Sequence, residues 1–283
     1  MITSSELKKR LKNIKLVVTD VDGTLTNYDN ELGETTKIKA KELKQRGVLL
    51  SFATQRIHSS ITRYAKELEI DIPLMSINGA LIKDISGFEL SKSLISPKKV
   101  QKALKLAEKY FVRIAICYND EIIYTENNSV LKDFMFRLGT DYRLVENYDN
   151  YFDNVLEIIM LGNEKNVIKH IQSKMNFPYK LFLNAKYYRS SSKSGVYHLE
   201  IRKSGVSKRT GMIKLARHLN LKKHQIAVIG DWYNDRDLFD FGGLNIALQN
   251  AVPELKNKAD YITKFNNDED GVGEFLTILS ENL

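Results

Sequence analysis

Two short acidic clusters are the residues of this chain best suited to chemistry. Asp20-Val21-Asp22-Gly23-Thr24 closes an apolar run, and carboxylates spaced i, i+2 at a turn can serve different tasks in one small site. Gly23 lets the backbone turn sharply there. Asp-x-Asp-Gly also occurs in ordinary turns and opens calcium loops. Glu31 falls where an EF-hand would have its last ligand, but Leu25, Thr26 and Tyr28 do not suit the positions between. Glycine stands fourth and not sixth, which rejects that loop. Gly230-Asp231-Trp232-Tyr233-Asn234-Asp235 follows a second apolar run, Ile226 to Ile229. Its carboxylates either join the first pair or cap a following helix. Magnesium takes octahedral oxygen ligation from one or two carboxylates, waters and a substrate phosphate, and Asp20 with Asp231 supplies that count.

Two further residues suit an anion. Thr54 ends the run Val48 to Ala53 and precedes Gln55 and Arg56. Its hydroxyl can bond a phosphate oxygen beside backbone N–H groups, or cap the next helix. Lys208 begins a helical pattern, where the dipole disfavours a cation, and a phosphate between ammonium and helix start reconciles the placement. A plain surface lysine is the alternative.

The elements that must position these residues alternate. Ile14 to Thr19 reads as a buried parallel strand, Thr35 to Arg46 as a helix with Ile38 and Leu43 inward, and Val48 to Ala53 as a strand. Ser59 to Leu68 is helical and Leu74 to Ile77 a strand, so the opening third is β-α-β-α-β. That order predicts a parallel sheet covered by helices, with function at the strand C-termini. From about Ser86 the texture changes. A helix over Pro97 to Tyr110 precedes a hairpin, Val112 to Tyr118 with Glu121 to Glu126. Strands at Val155 to Leu161, Tyr179 to Asn184, Tyr187 to Ser191 and Val196 to Ile201, with a helix near Glu164 to Lys174, predict an inserted α+β module. The first pattern then resumes: Ser207 caps a helix to Leu219, and strands follow at Gln225 to Gly230 and Asn245 to Leu248, with a helix near Asp235 to Phe241 between them. Tyr261 to Thr263 and a helix from Gly271 end the chain. The fold class is therefore α/β, a doubly wound parallel-sheet core with an inserted α+β domain.

Bulk properties agree with an ordinary globular protein of two domains, at 283 residues with 43% hydrophobic and 28% charged. Cys117 is the single cysteine, so no internal disulfide forms, and as a small apolar strand residue it suits a reducing cytoplasm. The N-terminus shows no export signal, and no apolar run is long enough to span a bilayer. The net charge of +8 is spread along the chain without a basic block, so neither nucleic acid nor a membrane is an expected partner. His58, His170, His198, His218 and His224 lack zinc-site spacing. Tyr187-Tyr188-Arg189 suits an alternating strand, with substrate contact as the other possibility.

Taken in order, four motifs resemble the haloacid dehalogenase superfamily, in its Cof-like sugar-phosphatase branch with an inserted α/β cap. They are Asp20-Val21-Asp22-Gly23-Thr24, Thr54 in Ala53-Thr54-Gln55-Arg56, Lys208 in Gly205-Val206-Ser207-Lys208, and Gly230-Asp231-x-x-Asn234-Asp235. Ile77-Asn78-Gly79-Ala80, Lys258-Ala259-Asp260-Tyr261 and Asn267 to Val272 also look similar, so the resemblance spans nearly the whole chain. It implies a core over residues 1–84 and 201–283 with a cap over 85–200 that closes on the site and selects substrate. It implies a magnesium-dependent phosphatase for small phosphorylated metabolites, sugar phosphates first among them, acting as a monomer or weak homodimer. Asp20 would attack phosphorus, Asp22 would protonate the leaving oxygen and then activate water, and Thr54 and Lys208 would neutralise the phosphoryl group. Substrate would also meet Gln55, Arg56, Asn78, Gly79 and Asn234. Mg2+ would be held by Asp20, Asp22 through its backbone carbonyl, and Asp231, with Asp235 in support. Gln55 departs from the family's usual glycine, and Trp232 is bulky where small residues are common. A phosphomutase of the same superfamily and a non-catalytic phospho-ligand regulator are the alternative functions.

Overall fold

The computed structural model describes residues 2–126, 142–177, 181–189 and 194–283. The chain divides into two compact units, one of Met1–Gln55, Ile61–Ser91 and Ser207–Leu283, the other of Arg56–Ser60 and Lys92–Val206.

In the first unit, strands β1 (Leu16–Thr19) and β2 (Leu49–Phe52) are followed by the short β3 (Leu74–Ser76), β4 (Leu81–Lys83) and β5 (Glu89–Lys92). The second unit holds β6 (Arg113–Cys117), β7 (Ile122–Tyr124), β8 (Tyr142–Leu144), β9 (Glu157–Gly162), β10 (Leu183–Arg189) and β11 (Tyr197–Lys203). The chain then supplies β12 (Ile226–Gly230), β13 (Leu244–Ala247) and β14 (Tyr261–Ile262) to the first unit.

The central sheet runs β14-β13-β12-β1-β2, parallel throughout. Its strands β1 and β12 are buried along their whole length, as apolar sequences covered on both faces must be. One face packs on helices Glu34–Gln45 and Gly271–Asn282 through Ala40, Leu43, Phe275 and Leu279. The other packs on Met212, Leu215 and Leu255. The expected α/β doubly wound core is therefore present.

Two local expectations are corrected. Ile38 is 63% exposed. Thr36, Ala40 and Leu43 form the inward stripe of that helix, and residue 38 lies off it. Strand β3 does not simply extend the parallel sheet: one bridge, Ala53 to Met75, links it there, while it pairs antiparallel with β4. The turn between them carries three successive positive φ angles, at Ile77, Asn78 and Gly79, which reverse the chain.

The second unit is a sheet of order β10-β11-β9-β6-β7-β8. Its pairs are antiparallel except β7 with β8. Helices Pro97–Lys109 and Lys165–Asn176 cover one face, where Ile116, Ile158, Met160, Leu199 and Ile201 form the core. Of the sequence-predicted strands, residues 179–180 and 190–191 lie outside the described residues. From Leu183 onward the described parts of those two predicted strands form the single strand β10. Residues 56–60 belong to this unit in part because the His58 amide donates to the Asn119 carbonyl (3.1 Å) and the Ser59 hydroxyl to that of Asp120 (3.0 Å). Among the described residues, no helix is long and apolar enough to cross a membrane.

Alternation places polar groups on the opposite face of this sheet, and three charges there are buried together. Arg202 donates to Glu157 (2.6 Å) and Glu200 (3.1 Å), and the Tyr188 hydroxyl donates to Glu200 (2.5 Å). Burial pushes the Glu157 carboxyl up to about 8, against the pull of Arg202. Burial likewise pushes the neighbouring Cys117 thiol up, leaving it a free, unreactive core residue. Removing one partner from a buried ion cluster strands the others. We therefore expect Arg202→Ala to cost about 3–5 kcal/mol of unfolding free energy. Because the folded pKa of Glu157 is raised, stability is full below its unfolded value of 4.5 and is lost as pH rises toward 8. Glu157→Gln should flatten that fall in urea unfolding across this range. Parallel curves for the two proteins would contradict the assignment.

Candidate active site

The parallel register brings three strand ends to one level. Thr19 of β1 pairs with Ile229 of β12 and with Phe52 of β2. Asp20, Asp231 and Thr54 therefore follow at the same carboxyl edge, and all three are buried. The Asp20 amide is tied to the Ile229 carbonyl (3.0 Å) and the Thr54 amide to the Met75 carbonyl (2.9 Å).

Lys208 reaches this edge from the start of helix Lys208–His218. Ser207 caps that helix as the sequence predicts, its hydroxyl accepting from the Thr210 amide (3.2 Å) while Thr210 Oγ1 accepts from the Ser207 amide (3.0 Å). Gly79, at φ +90, packs on this start: a Cβ there would lie 2.8 Å from the Ser207 carbonyl oxygen. The Lys208 side chain is 1% exposed, and its Nζ donates to Asp20 Oδ1 and Asp235 Oδ1, each at 2.6 Å. Two carboxylates thus occupy the role expected of a phosphate in reconciling a lysine with a helix N-terminus. Burial opposes the Lys208 ammonium, but the Asp20 and Asp235 charges outweigh it and raise its pKa.

Asp235 is a strut. Its Oδ1 takes Lys208, and its Oδ2 accepts from the backbone amides of Asp231 (3.0 Å) and Trp232 (3.1 Å). A Cβ on Gly230 would come within 2.6 Å of this carboxylate, so glycine permits the close turn. Asp20, Asp231 and Asp235 each present an oxygen within 4.8 Å of the others. Burial, then the Asp235 charge, pushes Asp20 up to about 7 against the pull of Lys208. Asp231 rises to about 9, through burial and then the charges of Asp235 and Asp20.

The remaining sequence-predicted residues divide. Asp22 sits half-buried in the turn after β1, and its charge adds to those acting on Asp20. Asn234 stands one residue before Asp235, and its buried Oδ1 has no hydrogen-bond partner among the described residues. Asn78 ties the turn after β3 to the Thr54 carbonyl through its amide (2.8 Å). It and Gly79 thus shape the backbone around Thr54 and the Lys208 helix. Gln55 is half-buried beside Thr54 in the chain, and Arg56, fully buried, belongs to the second unit. Trp232 and Tyr233 are about half exposed and meet edge to face at 5.2 Å.

Two partners of Asp231 escaped the sequence reading. Thr24 Oγ1 donates to Asp231 Oδ1 at 2.6 Å. Asn250 Nδ2 donates to the Gly23 carbonyl at 2.8 Å and lies 3.4 Å from Asp231 Oδ2. Thr24 was visible only as part of its motif. Asn250 carried a usable signal, since it too is a polar residue just past an apolar strand, β13.

The chain is similar to several known proteins. A Bacillus subtilis 5-amino-6-(5-phospho-D-ribitylamino)uracil phosphatase is 27% identical over 92% of this chain and 96% of its own. A longer Streptococcus pyogenes protein, whose name pairs a phosphatase with a peptidyl-prolyl cis-trans isomerase, is 27% identical over 95% of this chain, which spans 54% of its length. A solved haloacid dehalogenase-like hydrolase from Bacteroides thetaiotaomicron superposes with a TM-score of 0.83 at 25% identity, covering 94% of this chain and 99% of that one. The sequence model of the haloacid dehalogenase-like hydrolases matches residues 17–276. With its strand-edge acids and buried lysine, the chain belongs to that hydrolase family.

Proposed function

We propose that this hydrolase is a magnesium-dependent phosphatase acting on small phosphate monoesters, sugar phosphates foremost, with Asp20 as the nucleophile. The observation that carries this reading is the Asp20 carboxylate, buried at a strand end and held by the Lys208 ammonium at 2.6 Å within a cluster of acids. The relative named for a ribitylamino-uracil phosphate supports the substrate class.

In the first step an Asp20 oxygen forms a bond to phosphorus as the ester P–O bond breaks, and Asp22 gives its proton to the departing oxygen. In the second, Asp22 takes a proton from water, the water oxygen bonds to phosphorus, and Asp20 leaves as a carboxylate with inorganic phosphate released. Splitting the hydrolysis in this way replaces one hard displacement by two easier ones. Phosphoryl transfer asks mainly for position and charge compensation. Lys208 and the Thr54 hydroxyl supply that compensation.

The donor set fits a divalent cation. Burial and mutual repulsion raise Asp20 and Asp231 together, and a dication relieves both effects. Asp20, Asp231 and the Asp22 carbonyl would hold it, while Asp235, engaged by Lys208 and two amides, supports them from behind. Bound there, magnesium would neutralise charge on the phosphoryl oxygens.

A phosphate-release screen over sugar phosphates and other monoesters tests the reading. Asp20→Asn should abolish release. Asp22→Asn should lower kcat about 10²–10⁴-fold with KM little changed. Comparable turnover in Asp20→Asn would end the nucleophile assignment, and an isomeric sugar phosphate without inorganic phosphate would identify a mutase instead. A chelator should stop the reaction and added magnesium restore it; activity that survives chelation would remove the metal from the proposal.

A further inference from the structure

We infer that Asn250 is a positioning residue that aims the Asp231 carboxylate at its cation, by bonding the Gly23 carbonyl and Asp231 together. The inference rests on the magnesium-dependent reading above and deepens it.

The side-chain amide of Asn250 is fully committed, which fixes its orientation. One donor goes to the Gly23 carbonyl oxygen at 2.8 Å, and Nδ2 also lies 3.4 Å from Asp231 Oδ2. Its oxygen accepts from the Asn267 amide at 3.1 Å. Flipping the amide would set an oxygen against both a carbonyl and a carboxylate, so only one arrangement satisfies all partners.

Asn267 continues the link. It is buried, and its Nδ2 donates to the Thr26 carbonyl at 3.0 Å. Two asparagines therefore tie the turn that follows Asp20 to the segments after β13 and before the last helix. Asp231 is held from both sides, since Thr24 Oγ1 donates to Oδ1 while Asn250 reaches Oδ2. Gly23 completes the seat: it lies at φ +73, and a Cβ there would come within 2.8 Å of Asp231 Oδ2. The backbone of residues 248–252 follows the same edge, with the Val252 amide donating to the Asp231 carbonyl at 2.9 Å.

Groups that orient a metal-binding carboxylate typically change metal affinity about 10- to 100-fold when removed. Asn250→Ala should weaken magnesium binding to the full chain by about that factor, read directly by isothermal titration calorimetry. The magnesium concentration for half-maximal phosphate release should rise in parallel, while kcat at saturating magnesium stays within about threefold of the unaltered chain. Asn250→Asp separates aim from mere proximity. A bystander carboxylate beside a cation would tighten binding, whereas an oxygen facing the Gly23 carbonyl pushes the two loops apart and weakens it.

Val252→Ala provides the structural control, because it trims a buried side chain in the same segment without removing these bonds. It should lower the unfolding midpoint and leave magnesium affinity unchanged. Unchanged affinity in Asn250→Ala, tighter binding in Asn250→Asp, or an equal loss in Val252→Ala would each overturn the assignment. Absence of magnesium binding by the unaltered chain would overturn it together with the metal-dependent reading; normal binding by that chain and by Asn250→Ala would sink Asn250 alone.

Discussion

One buried ammonium makes the rest of this site possible. Three carboxylates within a few ångströms of one another, all nearly out of water, would repel and protonate if left to themselves. Lys208 sits between two of them at 2.6 Å each. Several features that look separate serve that placement. Ser207 and Thr210 box the helix start, Gly79 lets the turn after β3 approach it, and Gly230 lets Asp235 fold back under the strand end. A single charge thereby couples β1, the Lys208 helix and the turn after β12, although these lie far apart in sequence.

The sheet explains why the partners meet at one level. In a parallel sheet neighbouring strands end on the same side, and their following residues leave the core together. Asp20, Thr54, Asp231 and Asn250 each stand within three residues of a strand end in β1, β2, β12 and β13. The sheet therefore acts as a common floor, and the short loops differ only in which polar group they raise above it. This placement leaves the second unit's sheet free to be built on other rules. There, one face is apolar under two helices and the opposite face buries the Glu157, Glu200 and Arg202 cluster.

Much of this was legible because each strand is a continuous apolar run stopped by a polar residue, and a run of that kind announces its own end. Asp20, Thr54 and Asp231 were found in that way. Lys208 was found, and the family resemblance offered Asp235 as one of its supports, but its direct pairing with Asp20 was not foreseen: helical periodicity reports which face is buried and not which charges wait there. Ile38 misled because an apolar residue in a helix was assumed to face inward, whereas Thr36, Ala40 and Leu43 set the stripe. The reversal after β3 was hidden at Ile77, a β-branched residue with no preference for positive φ, although the Asn78-Gly79 pair after it is of a kind that favours turns. Thr24 and Asn250 were missed for a related reason. Thr24 lay inside a motif read for its acids, and the place of Asn250 just past β13 was a signal not taken up; what each of them touches is a distance to Asp231 across loops.

Charge arithmetic links the cation and the phosphate in the proposed reaction. Ionised, the three aspartates and Lys208 sum to −2, and a phosphate monoester adds about −1.5 to −2 more. Neither could enter so buried a site unaided, because charges interact more strongly where water is excluded. The burial that pushes Asp20 and Asp231 upward is also what would make a dication hold firmly once those acids release their protons. On this proposal cation and substrate would favour one another's binding, and a residue that fixes the Asp231 carboxylate would act first on the cation. Thr24 and Asn250 grip its two oxygens from opposite sides, so in the proposed reaction the hold on the cation would depend on side chains that take no part in the chemical steps.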